Sequence, residues 1–348
     1  MKKVISLLLA LSMLTVVLVG CGQSNEPAPT QAPTAAPVET VPETTAAPAP
    51  TAAPEALPRL MVMSGPTGVG AAKLLKDGVG TVLASGEVVE DNEAVKNALV
   101  SGDVDIAAIA TNMAATLSNK LGGGLEVLAV NTLGVLYILE KGETVASMAD
   151  LKGKTLYATG QGANPEYVLN YLLTENGVAP EEVTIEWLTG QEIIAKMASE
   201  EAGICMLPVP AATTLMMKDE NVRQALSLSE EWDKLGNGAL TQGCIVARSE
   251  YVAENPGAVE DFLAAYEASI AYMTDESVRA DAAALVAEFA ITANDKIAMK
   301  AIPQCNLVCV RGQEMKDMLL AFYDVLYQAN PAAVGGAMPA DGFYYGVG

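Results

Sequence analysis

Histidine is absent from this chain. Its absence removes the commonest general base of enzymes and the commonest ligand of transition metals. Most classes of hydrolase are therefore disfavoured. The sequence predicts a protein that is not an enzyme and that uses no cofactor or metal.

Cysteine is scarce as well, with five residues in the whole chain and no Cys-x-x-Cys pair. Four of them follow Cys21 at a distance: Cys205, Cys244, Cys305 and Cys309. We expect these four to be small buried side chains, as free cysteines usually are. The run from Cys305 to Cys309 predicts one strand, in which the two residues would stand roughly 13 Å apart, too far for a disulfide.

Basic residues are few: 20 Lys and Arg stand against 42 Asp and Glu, which gives a formal net charge of −22. Nucleic acids and anionic membrane surfaces are therefore poor partners. A small anionic ligand remains compatible with this charge, because salt screens a distant field within about 8 to 10 Å. Backbone donors close to such a ligand can then outweigh that field.

One long apolar run, 4–19, begins the chain after two lysines, but at about 16 residues it is shorter than the roughly 20 that a membrane span needs. It ends in Leu18-Val19-Gly20-Cys21. A basic start, a short apolar stretch and small residues at the cut indicate a secretory signal peptide, and a cysteine just after the cut takes a diacylglycerol anchor. We therefore predict a lipoprotein signal peptide over 1–20, lipidation at Cys21, and localisation at the cell membrane on the extracytoplasmic side. An uncleaved transmembrane helix is the less favoured alternative.

Residues 21–57 contain almost no large apolar side chain and are rich in Pro, Thr, Ala and Glu. Such a segment cannot bury enough surface to offset the entropy of ordering it. We predict a disordered, extended linker of about 3.1 Å per residue, which holds the rest of the chain clear of the membrane. Glycosylation of its threonines stays open.

From residue 58 onward, strand-like apolar runs alternate with helical patterns, which predicts an α/β fold with mainly parallel strands. Five polar or glycine-rich loops each follow a predicted strand: 64–70, 111–112, 131–132, 159–164 and 208–210. In open parallel sheets, ligands bind beyond the carboxyl ends of the strands. The loops therefore predict one shared cleft, although ordinary strand-to-helix turns would explain some of them.

Two of these loops carry further signals. The loop 65–70 reads Gly-Pro-Thr-Gly-Val-Gly, but Ala71 and Ala72 stand where a phosphate-binding P-loop needs Lys and Ser or Thr. What remains is a glycine-rich turn before a helix, whose free N–H groups can hold a small anion or polar ligand. In the loop 159–164, Asn164 is predicted to cap a helix that has Pro165 in its first turn and ends at Gly177.

Several stretches of the chain resemble a known family. They are Leu-Met-Val-Met-Ser-Gly-Pro-Thr-Gly-Val-Gly at 60–70, Ala-Val-Asn-Thr-Leu-Gly-Val-Leu-Tyr at 129–137, Asp-Leu-Lys-Gly-Lys at 150–154 with Gly-Gln-Gly-Ala-Asn-Pro-Glu-Tyr at 160–167, and Asn-Pro-Gly-Ala-Val-Glu at 255–260. From about residue 58 to its end, the chain resembles the solute-binding lipoproteins of ABC importers in the sulfonate, taurine, nitrate and thiamine-pyrimidine-precursor group.

This resemblance implies the type II periplasmic-binding-protein fold, with two α/β lobes, a hinge and a central ligand cleft. Lobe 1 would take 58–134 plus 248–348, and lobe 2 would take 135–247. The crossing segments would lie near 133–138 and 242–247.

The resemblance also implies a set of ligand-binding residues from both lobes. Carried over to this sequence they are Ser64, Gly65, Thr67, Thr111, Asn112 and Asn131 from lobe 1, and Gly162, Ala163, Asn164 and Pro208 from lobe 2. None of them is cationic, so an anionic group would be held by neutral donors and helix N-termini rather than by an arginine. Trp187 and Tyr167 could stack on a flat ring or serve packing alone.

The function implied is capture of a small organic or anionic solute by hinge closure, followed by delivery to an ABC permease and its ATPase. The protein would act as a monomer and would bind no nucleic acid. One alternative is a sensory or adhesive surface lipoprotein that binds a protein partner. Another is a relative of pyrimidine-synthesis enzymes, which the lipoprotein signal and the absence of histidine disfavour.

Overall fold

The computed structural model describes residues 55–347, and the predicted signal peptide, Cys21 and most of the predicted linker lie outside them. The described strands are β1 Arg59–Met63, β2 Ser85–Val89, β3 Ile106–Ala110, β4 Leu125–Thr132, β5 Leu136–Lys141, β6 Thr155–Ala158, β7 Thr184–Trp187, β8 Gly203–Pro208, β9 Val222–Ser227, β10 Gly243–Arg248 and β11 Leu307–Val310. The helices are α1 Pro66–Asp77, α2 Asn92–Ser101, α3 Thr111–Lys120, α4 Asn164–Glu175, α5 Gly190–Ser199, α6 Ala211–Lys218, α7 Leu228–Asp233, α8 Ser249–Glu254, α9 Pro256–Thr274, α10 Arg279–Glu288, α11 Asp295–Ala301 and α12 Gly312–Ala329. The predicted α/β class is confirmed.

The strands form two sheets. The first has the order β11-β4-β10-β3-β1-β2 and the second has the order β7-β6-β8-β5-β9. We use "first lobe" for the first sheet with α1–α3 and α8–α12, and "second lobe" for the second sheet with α4–α7. In the first sheet, the apolar strand β3 has four of its five residues buried, because helices cover both of its faces.

The expectation of mainly parallel strands is confirmed only in part, because both sheets also contain antiparallel neighbours. Strand β1 is parallel to β2 and β3, and β6 is parallel to β7 and β8. Strand β10 is antiparallel to β3 and β4, β11 is antiparallel to β4, and β5 is antiparallel to β8 and β9. An apolar run shows that a strand is buried, but burial on two faces says nothing about strand direction.

Strand β10 also bears on where the chain crosses between lobes. It pairs with β3 and β4 of the first sheet, although the sequence assigned residues up to 247 to lobe 2. Strand β5 opens the second sheet at Leu136, near the expected first crossing.

The glycine-rich segment after β1 is mostly helix. Helix α1 begins at Pro66, so Gly68 and Gly70 lie inside it and the predicted loop ends at Gly65. At Gly70, a Cβ atom would lie 2.7 Å from Cδ1 of Ile270 in α9, so the residue lets the two helices approach closely. Only Gly65 needs glycine for its backbone, at φ +115°.

The four cysteines of the described region are free. Cys205, Cys244 and Cys305 are buried, as expected, and Cys309 is half-buried. Cys305 ends a 3-10 turn over Ile302–Gln304, and the left-handed Asn306, with φ +43°, separates it from β11. The single strand predicted for Cys305 and Cys309 is therefore wrong. Burial raises the pKa of the Cys205 and Cys305 thiols to about 12, which keeps them protonated at neutral pH.

The start of the described chain is tied to α8 and α9. The backbone N–H of Ala56 donates to Oδ1 of Asn255 (2.8 Å), and the hydroxyl of Tyr251 donates to the carbonyl of Ala56 (2.6 Å). The N–H of Ala258 donates to the Glu55 carboxylate. Glu55 and Ala56 thus take part in the fold, although the sequence assigned them to the linker. Within 55–347, no helix has the length and apolar character of a membrane span.

Candidate functional site

A cavity of about 940 Å³ lies between the two lobes. Its first-lobe wall comes from the end of β1, from Glu90 and from the turn before α11, and its second-lobe wall comes from α5, α6 and the ends of β6 and β8. The lining residues are Ser64, Gly65, Pro66, Glu90, Thr159, Thr189, Gly190, Gln191, Ile194, Ala195, Ala198, Pro208, Val209, Pro210, Ala211, Thr214, Lys218 and 290–293. A volume of this size accommodates a small organic molecule.

Three helices begin at the cavity wall. They start at Pro66 in α1, at Gly190 in α5 and at Ala211 in α6. The first N–H groups of a helix have no partner within it, and the helix dipole makes that end positive. The converging N-termini therefore favour a ligand that carries negative charge or hydrogen-bond acceptors.

The three N-termini are not equally free to bind a ligand. Helix α5 starts with a capping box, in which Oγ1 of Thr189 accepts from the N–H of Glu192 (3.2 Å) and the Glu192 carboxylate accepts from the N–H of Thr189 (2.8 Å). The backbone hydrogen bond from Thr189, followed by the one from its hydroxyl, lowers the pKa of Glu192. This carboxylate already neutralises the end of α5, so α1 and α6 offer the stronger positive ends.

The remaining polar wall is mostly neutral. Besides Ser64 it includes the hydroxyls of Thr159, Thr214 and Thr292 and the amide of Gln191, with Glu90 and Lys218 as its charged side chains. The sequence placed no cation among the predicted ligand-binding residues, whereas exposed Lys218, at the end of α6, lines this cavity. Within residues 55–347, no group of three or more Cys, Asp or Glu side chains is arranged to hold a metal ion.

Three of the ten predicted ligand-binding residues line this cavity: Ser64, Gly65 and Pro208. Gly162 and Ala163 precede α4 outside the lining, and the N–H of Gly162 donates to the Glu166 carboxylate at 2.6 Å. The other five predicted residues, Thr67, Thr111, Asn112, Asn131 and Asn164, are part of two buried polar clusters beside the cavity.

The first cluster, which we call the Asn164 network, joins the lobes through Thr111, Asn112, Asn164 and Gln242. The N-termini of helices α3 and α4 face each other, and each helix is capped by an asparagine side chain from the other helix. The N–H of Asn112 donates to Oδ1 of Asn164 (3.3 Å), and the N–H of Asn164 donates to Oδ1 of Asn112 (3.1 Å). Nδ2 of Asn164 also donates to Oγ1 of Thr111 (2.8 Å) and to the carbonyl of Gln242 (2.9 Å).

This network changes the role predicted for Asn164. The residue is the first of α4 rather than its N-cap, which is Ala163, and its side chain caps a helix of the opposite lobe. Asn164 is only 1% exposed to solvent. The side chain of Asn164 therefore links the two lobes.

The second cluster lies where β4 ends and β10 begins, beside the hinge. Oδ1 of Asn131, Oγ1 of Thr132, Oγ1 of Thr241 and Nε2 of Gln242 are buried and have no hydrogen-bond partner among the described residues. Nδ2 of Asn131 donates to the hydroxyl of Tyr266 (3.0 Å). A Cβ atom at Gly243 would lie 2.6 Å from Oδ1 of Asn131 and 2.9 Å from Cγ2 of Thr67, so these two predicted residues meet there.

Unpaired buried polar atoms cost about 1 to 3 kcal/mol each. This second cluster therefore favours a bound water or another polar group beside these four atoms.

Several cavity residues were missed from the sequence, among them Thr189, Gln191, Thr214 and 290–293. One signal could have revealed the first of these: Thr189 followed three residues later by Glu192 is a capping-box pattern. The two aromatic candidates lie elsewhere, since Trp187 packs on the apolar core from the edge strand β7 and Tyr167 lines a different cavity.

Comparison with known proteins places the chain in a family. Residues 87–280 match the family model described as NMT1/THI5 like. A binding protein of Brucella abortus strain 2308 is 26% identical over 170 residues, which are 49% of this chain and 51% of that protein. A binding protein of Brucella melitensis matches to the same extent. The chain thus spans about half the length of the curated relatives it matches.

Solved structures match over more of the chain. An ABC transporter structure from Parabacteroides distasonis is 23% identical with a TM-score of 0.69, covering 83% of this chain and 98% of that one. The periplasmic aliphatic sulphonate binding protein SsuA from Escherichia coli is 18% identical with a TM-score of 0.69, covering 84% and 98%. The periplasmic nitrate-binding protein NrtA from Synechocystis PCC 6803 is 15% identical with a TM-score of 0.54, covering 72% and 70%.

These likenesses confirm the predicted fold, that of the periplasmic binding proteins with two α/β lobes. The family match covers more than half of the sequence, so the resemblance stated from its motifs is also confirmed. The chain belongs to the NMT1/THI5-like family.

Proposed function

We propose that this protein is the extracytoplasmic solute-binding component of an ABC importer, which captures a small solute between its lobes and delivers it to a membrane permease. The observation that carries the proposal is the 940 Å³ cavity walled by both lobes, beside which α3 and α4 cap each other across the lobes. A site divided between two lobes binds by closing on its ligand, and it needs no catalytic group. Two proteins of similar fold, one sulphonate-binding and one nitrate-binding, support this reading.

The solute class proposed is a small organic anion or acceptor-rich molecule, such as a sulfonate or a pyrimidine precursor of thiamine. The helix N-termini and Lys218 favour negative charge, and the hydroxyl-rich wall supplies neutral hydrogen bonds. Nitrate alone would occupy a small fraction of a cavity of 940 Å³. We therefore favour an organic solute over nitrate.

Thermal unfolding of the purified protein against a panel of alkanesulfonates, nitrate, thiamine-precursor pyrimidines and amino acids tests the function. A ligand at 100 times its dissociation constant adds about 2.7 kcal/mol, which corresponds to a rise in Tm of about 4 °C for a domain of this size. One compound class that raises the Tm would support the proposal and identify the solute. A flat response to the whole panel, repeated by calorimetric titration, would count against it.

Blocking the cavity should abolish that response. Ala195 is an exposed residue on the cavity side of α5, so Ala195→Trp should fill the space without disturbing the core and should weaken solute binding at least tenfold. Ser199→Trp is the matched control, since Ser199 is exposed near the end of the same helix and lies outside the cavity lining. If both variants bind like the unmodified protein, the solute site is not this cavity.

We further propose that the protein is anchored through a lipid on Cys21, as the sequence Leu18-Val19-Gly20-Cys21 predicts. Residues 21–54 would join this anchor to the described domain. Cys21→Ser should move the protein from the membrane fraction to the soluble extracytoplasmic fraction. Fractionation with metabolic labelling by a radioactive fatty acid measures this change. Equal membrane retention of the unmodified and Cys21→Ser forms would overturn the anchor.

The lobe boundaries are proposed in corrected form. The first lobe takes 58–134 together with the chain from Gly243 onward, and the second lobe takes the residues in between. The first-sheet pairing of β10 supports this division.

A further inference from the structure

A second cavity, of about 590 Å³, lies between α4 of the second lobe and α12 of the first lobe. It is separate from the solute cavity and shares no lining residue with it. Its wall is formed by Tyr167, Asn170, Tyr171, Thr174, Glu175 and Pro180 on one side and by Asp324, Val325, Leu326 and 328–330 on the other. A space of this size holds a molecule of roughly ten to twenty heavy atoms.

The charge around this cavity is negative. Glu175 and Asp324 are both exposed, and within residues 55–347 neither carboxylate forms a salt bridge with Lys or Arg. The lining contains no basic residue. Helix α4 ends at Glu175 and α12 ends at Ala329, so the negative ends of two helix dipoles reach the same cavity.

Two aromatic rings and an unpaired acceptor complete the wall. The ring of Tyr171 is held in place by Trp232, with ring centroids 5.3 Å apart, and by Nδ2 of Asn237, which donates to its hydroxyl at 2.8 Å. Tyr167 adds a second half-buried ring. Asn170, a third residue of α4 in the wall, has a buried Oδ1 with no hydrogen-bond partner among the described residues.

We propose that this second cavity binds a small organic cation, an ammonium or guanidinium group attached to an apolar body. Carboxylates and helix C-termini attract the positive charge, while tyrosine faces bind both cations and apolar groups. Because the cavity is walled by one helix from each lobe, an occupant would contact both lobes at once. It would thereby favour the arrangement in which the Asn164 network is formed, since α4 carries Asn164 at its first turn.

The test uses phenethylammonium as the probe and 2-phenylethanol as its uncharged counterpart. Calorimetric titration of the full-length protein should show saturable binding of phenethylammonium and at least tenfold weaker binding of 2-phenylethanol. The fluorescence of Trp232 supplies a second readout, because the Trp232 ring packs on Tyr171. It is recorded in a Trp187→Phe background, in which Trp232 is the single tryptophan of the chain. Absence of saturable binding, or equal binding of the two probes, would overturn the proposal.

Variants that neutralise the two carboxylates of the wall test whether phenethylammonium binds in this cavity. The pair Glu175→Gln with Asp324→Asn should weaken phenethylammonium binding about 25-fold, since a charge pair at 4 Å in water is worth about fivefold. The pair Glu181→Gln with Glu314→Gln removes the same charge from two exposed residues outside the lining, and should leave binding within about twofold. Equal weakening by the two pairs would indicate a general effect of net charge and would overturn the site. Ala195→Trp should leave cation binding intact, which separates this proposal from the proposed solute site.

Discussion

Replacing Asn164 with alanine should weaken binding of the transported solute about 30-fold. The side chain caps α3 from the opposite lobe and donates to Thr111 and to the carbonyl of Gln242. Loss of a helix cap costs about 1 kcal/mol, and a buried acceptor left unpaired costs at least as much. In the proposed mechanism the network forms as the lobes close on the solute, so both costs fall on the closed form. The expected penalty on closure is therefore about 2 kcal/mol.

Two measurements check this result. Calorimetric titration with the solute that the panel identifies gives the affinity, and small-angle scattering gives the compactness with and without that solute. Asn176→Ala is the matched control, because Asn176 is exposed at the other end of the same helix and its side chain bonds only the local carbonyl of Leu172. Asn112→Ala should weaken binding similarly, and the double variant should lose less than the sum. Unchanged affinity in Asn164→Ala would show that closure does not depend on this network.

Replacing Asp105 with alanine should reduce the free energy of unfolding by about 3 kcal/mol. Asp105 is 6% exposed at the start of β3, where it accepts from Nε of Arg59 (2.8 Å) and from Nη2 (2.7 Å), with Nη1 of Arg248 at 3.7 Å. Removal of one partner of a buried ion pair typically costs about 3 to 5 kcal/mol. We expect the lower end because 40% of the Arg59 side chain is exposed and can be rehydrated. Urea unfolding measures the change, and Asp103→Ala, at an exposed residue two positions earlier, should cost less than about 1 kcal/mol.

The Asp105 pair also predicts a pH dependence of stability. Burial by itself would raise the pKa of Asp105, but hydrogen bonds and charge from Arg59, with charge from Arg248, outweigh it and hold that pKa below its ordinary value. A carboxylate with a lowered pKa in the folded state stabilises the protein above its unfolded pKa of about 4, and this contribution is lost as the pH falls below that value. The unmodified protein should therefore lose stability more steeply than Asp105→Asn below about pH 4. Parallel curves for the two would contradict this account.

Much of the architecture follows from local patterns in the sequence. The alternation of apolar runs and helical stretches was sufficient for the α/β class, and the stretches at 60–70, 129–137, 150–154, 160–167 and 255–260 together indicated the family. Strand direction was not predictable in this way, because the apolar residues of β10 look the same whether the strand runs parallel or antiparallel to β3. Direction depends on which lobe the chain arrives from, and that is a property of the whole fold.

The site was predicted only in part, for a similar reason. Ser64 directly follows β1 and Pro208 ends β8, and their place at the cavity follows from those positions alone. Asn164 looked like an ordinary helix cap because sequence spacing reveals only partners on the same helix. Its actual partners, Thr111 and Gln242, lie 53 and 78 residues away along the chain. Thr189 and Lys218 were missed because one precedes and the other ends a helix of the second lobe, and only the packing of α5 beside α6 brings them to one cavity.

The contacts of Glu55 determine how short the molecule can be made. Helix α9 has 19 residues, no acidic side chain in its first turn, and an N-cap residue, Asn255, whose side chain does not cap it. The carboxylate of Glu55 fills that role from outside the helix. A soluble fragment cut at residue 58, where the composition changes, would leave the longest helix of the first lobe without its cap. Fragments prepared for crystallisation, and forms released by proteolysis of the linker, should begin at or before Glu55 if they are to retain the stability of the intact lobe.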